Sequence, residues 1–259
     1  MMLRNNSIRE GFQDDVAESE KLHAFGLIAA GVAHEVKNPL GGIRGAAEIL
    51  ASRASDSKSL DAAELIVREV DRIAALVDDL MLITHDDLRL APMNLHRLLD
   101  NVLALASYER MAKGVAITRE FDPSIPELRA DADRLAQVFV NLVRNALQAL
   151  EGRGALVIAT WMTVDDRLHT PTDERRPMVA IEVRDTGPGI PAEIQSRLAT
   201  PFFTTRPGGT GLGLALSRYW VSRHGGTLHV ESAPGAGVRV RVMMPLQGSG
   251  RLGDRNDTL

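Results

Sequence analysis

The chain has 259 residues, room for two modest domains with separate cores. A formal net charge of −4 excludes a nucleic-acid binder driven by bulk charge. With no cysteine there are no disulfides and no thiolate metal site, which suits a reducing cytoplasm, and with aromatics at 4% the cores must rest on Leu, Val, Ile and Ala.

Residues 1–20 are polar and mixed in charge, with neither the apolar core of a signal peptide nor a recognisable sensor domain. The longest apolar stretch, Phe25 to Ala33, is too short and too rich in Gly and Ala to cross a bilayer. A cytoplasmic protein without a membrane span is expected. From Phe25 an apolar stripe runs through Ala29, Val32, Val36, Leu40, Ile43, Ala47 and Leu50 in steps of three and four. A second runs through Ile66, Val70, Ile73, Val77 and Leu80. Joined by the polar turn Ser52 to Ser59, they predict a helical hairpin. An extra four-residue step beside Pro39 predicts a kink or local unwinding there. Two helices cannot cover such narrow seams, so a homodimer forming a four-helix bundle is expected; the alternative is packing against the C-terminal domain.

After a linker around Leu90–Met93 the pattern predicts a helix over Leu95–Met111 and a strand over Val115–Phe121. A helix opened by Asp131 and Asp133 runs to about Leu150. Strands follow at Ala155–Thr163 and Val179–Asp185, separated by a polar hairpin loop, Asp165–Pro177. A helix over Leu212–His224 precedes strands at Thr227–Ser232 and Gly237–Pro245. The fold class is α+β, with the helical hairpin followed by a mixed sheet carrying helices on one face, an α/β sandwich. The boundaries fall at 1–20 for the polar segment, 21–90 for the hairpin domain, 91–247 for the sandwich and 248–259 for a disordered tail.

The chemistry concentrates in a few segments. Positions 32 and 36 point inward, so His34 lies about 200° away, toward solvent. Neutral imidazole is a good nucleophile near pH 7, and Glu35 is placed to accept the proton on its other ring nitrogen. Asn38 sits one turn further along, where its amide can orient a water toward a phosphoryl group. A zinc-protease reading of His34-Glu35 fails, because position 38 is Asn and not a second His.

Asn141 and Asn145, one turn apart, direct two amides to one side of their helix, a donor set suited to Mg²⁺. Asp185 ends a strand and enters the tight turn Thr186-Gly187-Pro188-Gly189, where backbone can approach a ligand closely. Its carboxylate can accept the amino hydrogen of adenine and repels the carbonyl of guanine. Gly209-Thr210-Gly211-Leu212-Gly213 leads into a helix whose N-terminus can hold phosphate oxygens. Phe202-Phe203-Thr204-Thr205-Arg206 just before it reads as a mobile lid, with Arg206 able to approach the phosphates. A dinucleotide fingerprint through Gly211, Gly213 and Glu231 is rejected, because no strand precedes the glycines.

His34 through Leu40 resembles the phosphoacceptor box of two-component sensor histidine kinases. Asn141 to Asn145 resembles their N box, Asp185 to Gly189 the first glycine box, Pro201 to Thr205 the F box, and Gly209 to Leu214 the second glycine box. The resemblance covers roughly residues 20–247, and the run from His34 to Ala46 is most like the nitrogen-regulation (NtrB-like) subfamily. It implies a dimerisation and phosphotransfer domain followed by an ATP-binding domain of the gyrase/Hsp90/histidine kinase/MutL type. It implies that His34 takes the γ-phosphoryl of Mg·ATP, assisted by Glu35, and passes it to an aspartate on a response regulator receiver domain. The Asn at the position of Asn38 is tied to dephosphorylating the regulator, which implies a bifunctional enzyme. Asn145 is the implied principal Mg²⁺ ligand with Asn141 in support, and Asp185, Gly187, Gly189, Thr205, Arg206, Gly209, Thr210, Gly211, Leu212 and Gly213 line the nucleotide site. The family often has Lys where Arg206 stands. NtrB-like kinases usually carry a sensory domain, so either input arrives through a separate sensory or regulatory protein, or the chain is a fragment or a constitutively competent core. A chaperone- or topoisomerase-type ATPase and a catalytically silent adaptor are the rival readings.

Overall fold

The computed structural model describes residues 36–84, 88–108, 110–164, 177–195, 197–198, 200–205 and 209–246. It divides into two compact units, Met1–Asp87 with Leu198–Leu216, and Leu88–Arg197 with Ser217–Leu259.

In the first unit, α1 is helical over 36–53 and α2 spans Ser57–Thr84. The connection is shorter than the polar stretch suggests, because Asp56 caps α2 early. Its carboxylate accepts from the Ser59 backbone N–H at 2.9 Å and the Ser59 hydroxyl at 2.6 Å. Those bonds, the hydroxyl's first, hold the Asp56 carboxyl below its ordinary range. Lys37 pairs with Asp78, and Arg44 with Asp71 at 3.3 Å. The partners step two helical turns in opposite directions, as an antiparallel hairpin requires. All four side chains are well exposed, so these pairs mark register more than they add stability. Leu40, Ala47, Ala63 and Val70 are buried, whereas Ile43, Leu50, Ile66 and Ile73 of the same stripes are 41–60% exposed, so the hairpin covers only part of its apolar seam. Helix α1 runs unbroken through Pro39, and the expected unwinding is not seen after it. The carbonyl that Pro39 cannot bond belongs to residue 35, outside the described residues. Among the described residues no helix is long and apolar enough to cross a membrane.

The second unit contains β1 (Ala91–Met93), α3 (Leu95–Ser107), β2 (Val115–Phe121), β3 (Leu128–Ala130), α4 (Ala132–Leu150), β4 (Gly154–Val164), β5 (Pro177–Asp185) and α5 (Ala192–Gln195). Helix α6 (Gly213–Arg223) crosses into it from the first unit and is followed by β6 (Thr227–Ser232) and β7 (Val238–Pro245). The main sheet has the order β2-β4-β5-β7-β6; β2 runs parallel to β4 and every other pair is antiparallel. The sequence takes β1 as linker and passes over β3. Each has three residues, too few to display an alternation, and they pair only with each other. Helix α3 stops short of Met111, and a 3-10 turn over Arg110–Ala112 follows. The loop expected over Asp165–Pro177 falls on residues 165–176, outside the described residues, but β4 and β5 pair antiparallel as a hairpin requires. The expected tail, 248–259, also lies outside them.

Helix α4 packs on α3 and lies against β4 and β5. Leu156 and Ile158 of β4, and Val179, Ile181 and Val183 of β5, are buried on one face of the sheet, Ile158 directly opposite Val183. Part of the opposite face is charged, at Glu182 and Arg184 of β5 and Arg239 and Arg241 of β7. Glu182 is 6% exposed and is held by Arg241 at 2.9 Å, Arg239 at 3.4 Å and Arg184 at 3.7 Å, which offsets the cost of burying it.

Candidate functional site

Helix α4 forms where it does because Asp131 adopts the extended N-cap conformation and accepts from Arg134 N–H at 3.1 Å. Leu135, Phe139, Leu142 and Ala146 are buried, as their spacing predicts, and Val138, Val143, Leu147 and Leu150 widen the stripe. Asn141 and Asn145 flank it, both half-buried, with their backbones fixed by that packing. The start of α4 is tied to the end of α6 by His224. The Asp131 N–H donates to His224 Nε2 at 3.0 Å, so the ring proton sits on Nδ1 and donates to the Trp220 carbonyl at 2.7 Å. Burial pushes the His224 pKa down, against the opposing pull of the Trp220 bond and the nearby Asp131. Arg134 lies over the Trp220 ring at 4.3 Å, stacking the first turn of α4 on α6.

Asp185 ends β5 with its side chain turned inward and the residue 5% exposed. Its Oδ1 accepts from Gly187 N–H at 2.8 Å and from Val238 N–H at 3.3 Å, so two backbone donors orient the carboxylate. A Cβ on Gly187 would lie 2.8 Å from that oxygen and 3.4 Å from Ala149 Cβ. The turn after Asp185 therefore abuts α4 one turn beyond Asn145. Strand β5 thus delivers the turn after Asp185 to the last turn of the helix whose middle carries Asn141 and Asn145. Thr186 pins the turn to β4, its hydroxyl accepting from Ala155 N–H at 2.9 Å. Gly189 has a positive φ of 73°, and a Cβ there would meet the Ala233 carbonyl oxygen at 2.0 Å. The glycine requirement at 189 thus comes from the β6–β7 turn.

The segment of the first unit that holds the second glycine box has its own constraints. Gly211 has a φ of 70°, and a Cβ there would lie 2.4 Å from the Phe202 carbonyl carbon. Phe202 also has a positive φ, 67°, and its N–H donates to the Gly211 carbonyl at 3.1 Å. Leu212 is fully buried and Gly213 opens α6, leaving the N–H groups of a helix start. Gly209 and Thr210 are half-buried and Thr205 is exposed. Asn38 is exposed on α1. His34, Glu35 and Arg206 lie outside the described residues.

The model of the His Kinase A (phospho-acceptor) domain matches residues 26–88, and that of the histidine kinase-, DNA gyrase B- and HSP90-like ATPases matches residues 130–248. The sensory histidine kinase/phosphatase NtrB of Klebsiella oxytoca is 38% identical over 237 residues, which are 91% of this chain and 66% of that protein. A solved catalytic domain of the histidine kinase ThkA is 30% identical with a TM-score of 0.52, covering 63% of this chain and 99% of that one. The chain belongs to the sensor histidine kinase family. The sensor histidine kinase ZraS of Klebsiella oxytoca is 36% identical over 93% of this chain and 50% of its own length. This histidine kinase chain therefore spans between half and two thirds of the curated relatives it matches. Its C-terminal half is a domain of the ATPase type that histidine kinases share with gyrase B and HSP90.

The amides of Asn141 and Asn145 fit Mg²⁺ by their chemistry, since neutral oxygen donors suit an ion that keeps waters and phosphate oxygens. Among the described residues no group of three or more His, Cys, Asp or Glu forms a cage for a metal. Sequence reasoning passes over Ser232, Gln195 and Gly237, which contact the Asp185 turn. No signal in the sequence shows that β7 lies beside β5, so a glycine-bearing turn some fifty residues away reads only as a hairpin.

Proposed function

We propose that the chain is an ATP-dependent protein histidine kinase that phosphorylates His34 and passes the phosphoryl group to an aspartate on a response regulator. The observation that carries this reading is the inward Asp185 carboxylate, oriented by two backbone donors, with the turn after it abutting the helix that bears Asn141 and Asn145. A carboxylate so held accepts from the amino group of adenine and disfavours guanine. In this reading Gly187 and Gly189 shape the base side of the site. Gly209, Thr210, Gly211, Leu212 and Gly213 would offer N–H groups to the phosphates, and Thr205 and Arg206 are assigned to the same nucleotide by their place in the motif order. Asn145, supported by Asn141, would hold Mg²⁺, which when bound neutralises charge on the phosphate oxygens.

The transfer forms a bond between a ring nitrogen of His34 and the γ-phosphorus as the bond to the bridging oxygen of ADP breaks. Glu35 accepts the proton on the other ring nitrogen and so keeps the attacking nitrogen's lone pair available. Asn38 orients a water to attack the aspartyl phosphate of the regulator, which releases inorganic phosphate and is the phosphatase activity. The phosphotransfer domain is assigned to 21–90 and the ATP-binding domain to 91–247. Exposed Ile43, Leu50, Ile66 and Ile73 on the hairpin support a homodimer that closes a four-helix bundle. The receiver-domain partner is supported by ThkA, solved in complex with the response regulator TrrA and 27% identical over 93% of this chain with a TM-score of 0.62. A cytoplasmic setting follows from ATP as the substrate. Identities to NtrB and ZraS are nearly equal, so the proposal takes from them the chemistry and not the signal.

The test is incubation with γ-labelled Mg·ATP followed by a panel of receiver domains. The chain should acquire acid-labile label and discharge it fastest to one receiver. ATP turnover with no phosphoprotein would favour a chaperone-type ATPase instead.

A further inference from the structure

The turn between β6 and β7 is fastened to the Asp185–Ile190 loop by more bonds than a simple hairpin needs. The Ile190 N–H donates to Ser232 Oγ at 2.9 Å, and the same hydroxyl donates to the Gly237 carbonyl at 2.7 Å. Gln195, on the short α5, donates from one amide nitrogen to the Ile190 carbonyl and the Ser232 carbonyl, each at 2.8 Å. Gly235 N–H adds a bond to the Pro188 carbonyl at 2.7 Å. The two backbones also lock sterically. A Cβ on Gly237 would lie 2.0 Å from the Asp185 carbonyl oxygen, the mirror of Gly189 against Ala233. The consequence reaches the carboxylate, because the residue after Gly237 is Val238, whose N–H donates to Asp185 Oδ1.

We propose that Ser232 and Gln195 are positioning residues for base recognition: they clamp the β6–β7 turn onto the Asp185–Ile190 loop, presetting the Asp185 carboxylate for an adenine amino group. This rests on the adenine reading of Asp185 given above. Without the Ser232 hydroxyl, Ile190 N–H and Gly237 carbonyl lose their shared partner, the turn slackens, and Val238 N–H no longer holds Oδ1 in one orientation. An unoriented carboxylate pays an ordering cost on binding adenine and repels guanine less sharply.

The experiment compares Ser232→Ala, Gln195→Met and Ser232→Thr in the full chain. It measures initial rates of autophosphorylation over a range of ATP and GTP concentrations, competition by inorganic tripolyphosphate, and thermal midpoint. Ser232→Ala and Gln195→Met should raise KM for ATP about five- to tenfold with kcat within about twofold, the size expected for one lost hydrogen-bond bridge. The preference for ATP over GTP should shrink by a similar factor, tripolyphosphate competition should hold, and Ser232→Thr should restore the preference. Unchanged KM and preference in both folded variants, or an equal loss of tripolyphosphate binding, would overturn the clamp. A wild-type chain that uses ATP and GTP alike would overturn the adenine reading and the clamp with it.

Discussion

His224 shows how one side chain constrains the site from a distance. Its Nε2 must accept from Asp131 N–H while Nδ1 donates to Trp220, so only the neutral ring satisfies both neighbours. Burial lowers its pKa below the ordinary 6.5. As pH falls below that value, the unfolded chain takes up a proton that the folded site refuses, and stability is lost. At higher pH the ring is neutral in both states and the penalty is absent. Thermal melts between pH 7.5 and about 5 should show this loss, and it should be smaller in His224→Gln, which also loses about 1–2 kcal/mol from imperfect bonding at pH 7.5. Equal acid sensitivity in both proteins would remove His224 as the source.

At the scale of elements, glycines in this chain divide by what surrounds them. Gly42 lies in mid-helix on α1 with open space where a Cβ would stand, whereas Gly189 faces the Ala233 carbonyl in a left-handed conformation. In urea melts, Gly42→Ala should stabilise α1 by about 0.5–1 kcal/mol and Gly189→Ala should destabilise its unit by about 1–3 kcal/mol. A Gly189→Ala protein as stable as wild type would show the two turns to be less tightly locked than their geometry states. The same contrast explains what the sequence makes legible. Helix α4 is readable because a cap at Asp131 and a stripe from Leu135 to Leu150 both lie within one segment. The β1–β3 ribbon is not, because its pairing joins residues far apart in three-residue strands. The glycine boxes read from sequence as candidate ligand loops, but the demand on Gly189 is set by β7 lying next to β5, a fact of topology and not of spacing.

For the whole molecule, the proposed function makes the His34 imidazole, early in the hairpin's sequence, and a nucleotide site on the α/β sandwich two parts of one relay. The hairpin is recognisable from its heptad-like seams. Its register, marked by Lys37–Asp78 and Arg44–Asp71, is not, since four charged positions among many carry no sign of their partners. The relay is legible in the order of the motifs along the chain, phosphoacceptor first and nucleotide boxes after it. Both halves are represented in the family matches, the phospho-acceptor model over 26–88 and the ATPase model over 130–248. The most direct measurement is phosphopeptide mapping of the full chain after incubation with γ-labelled Mg·ATP, beside His34→Gln. The account predicts acid-labile, base-stable label confined to the peptide containing His34, and an unlabelled variant that still binds ATP. Label on another residue, or label persisting in His34→Gln, would contradict it.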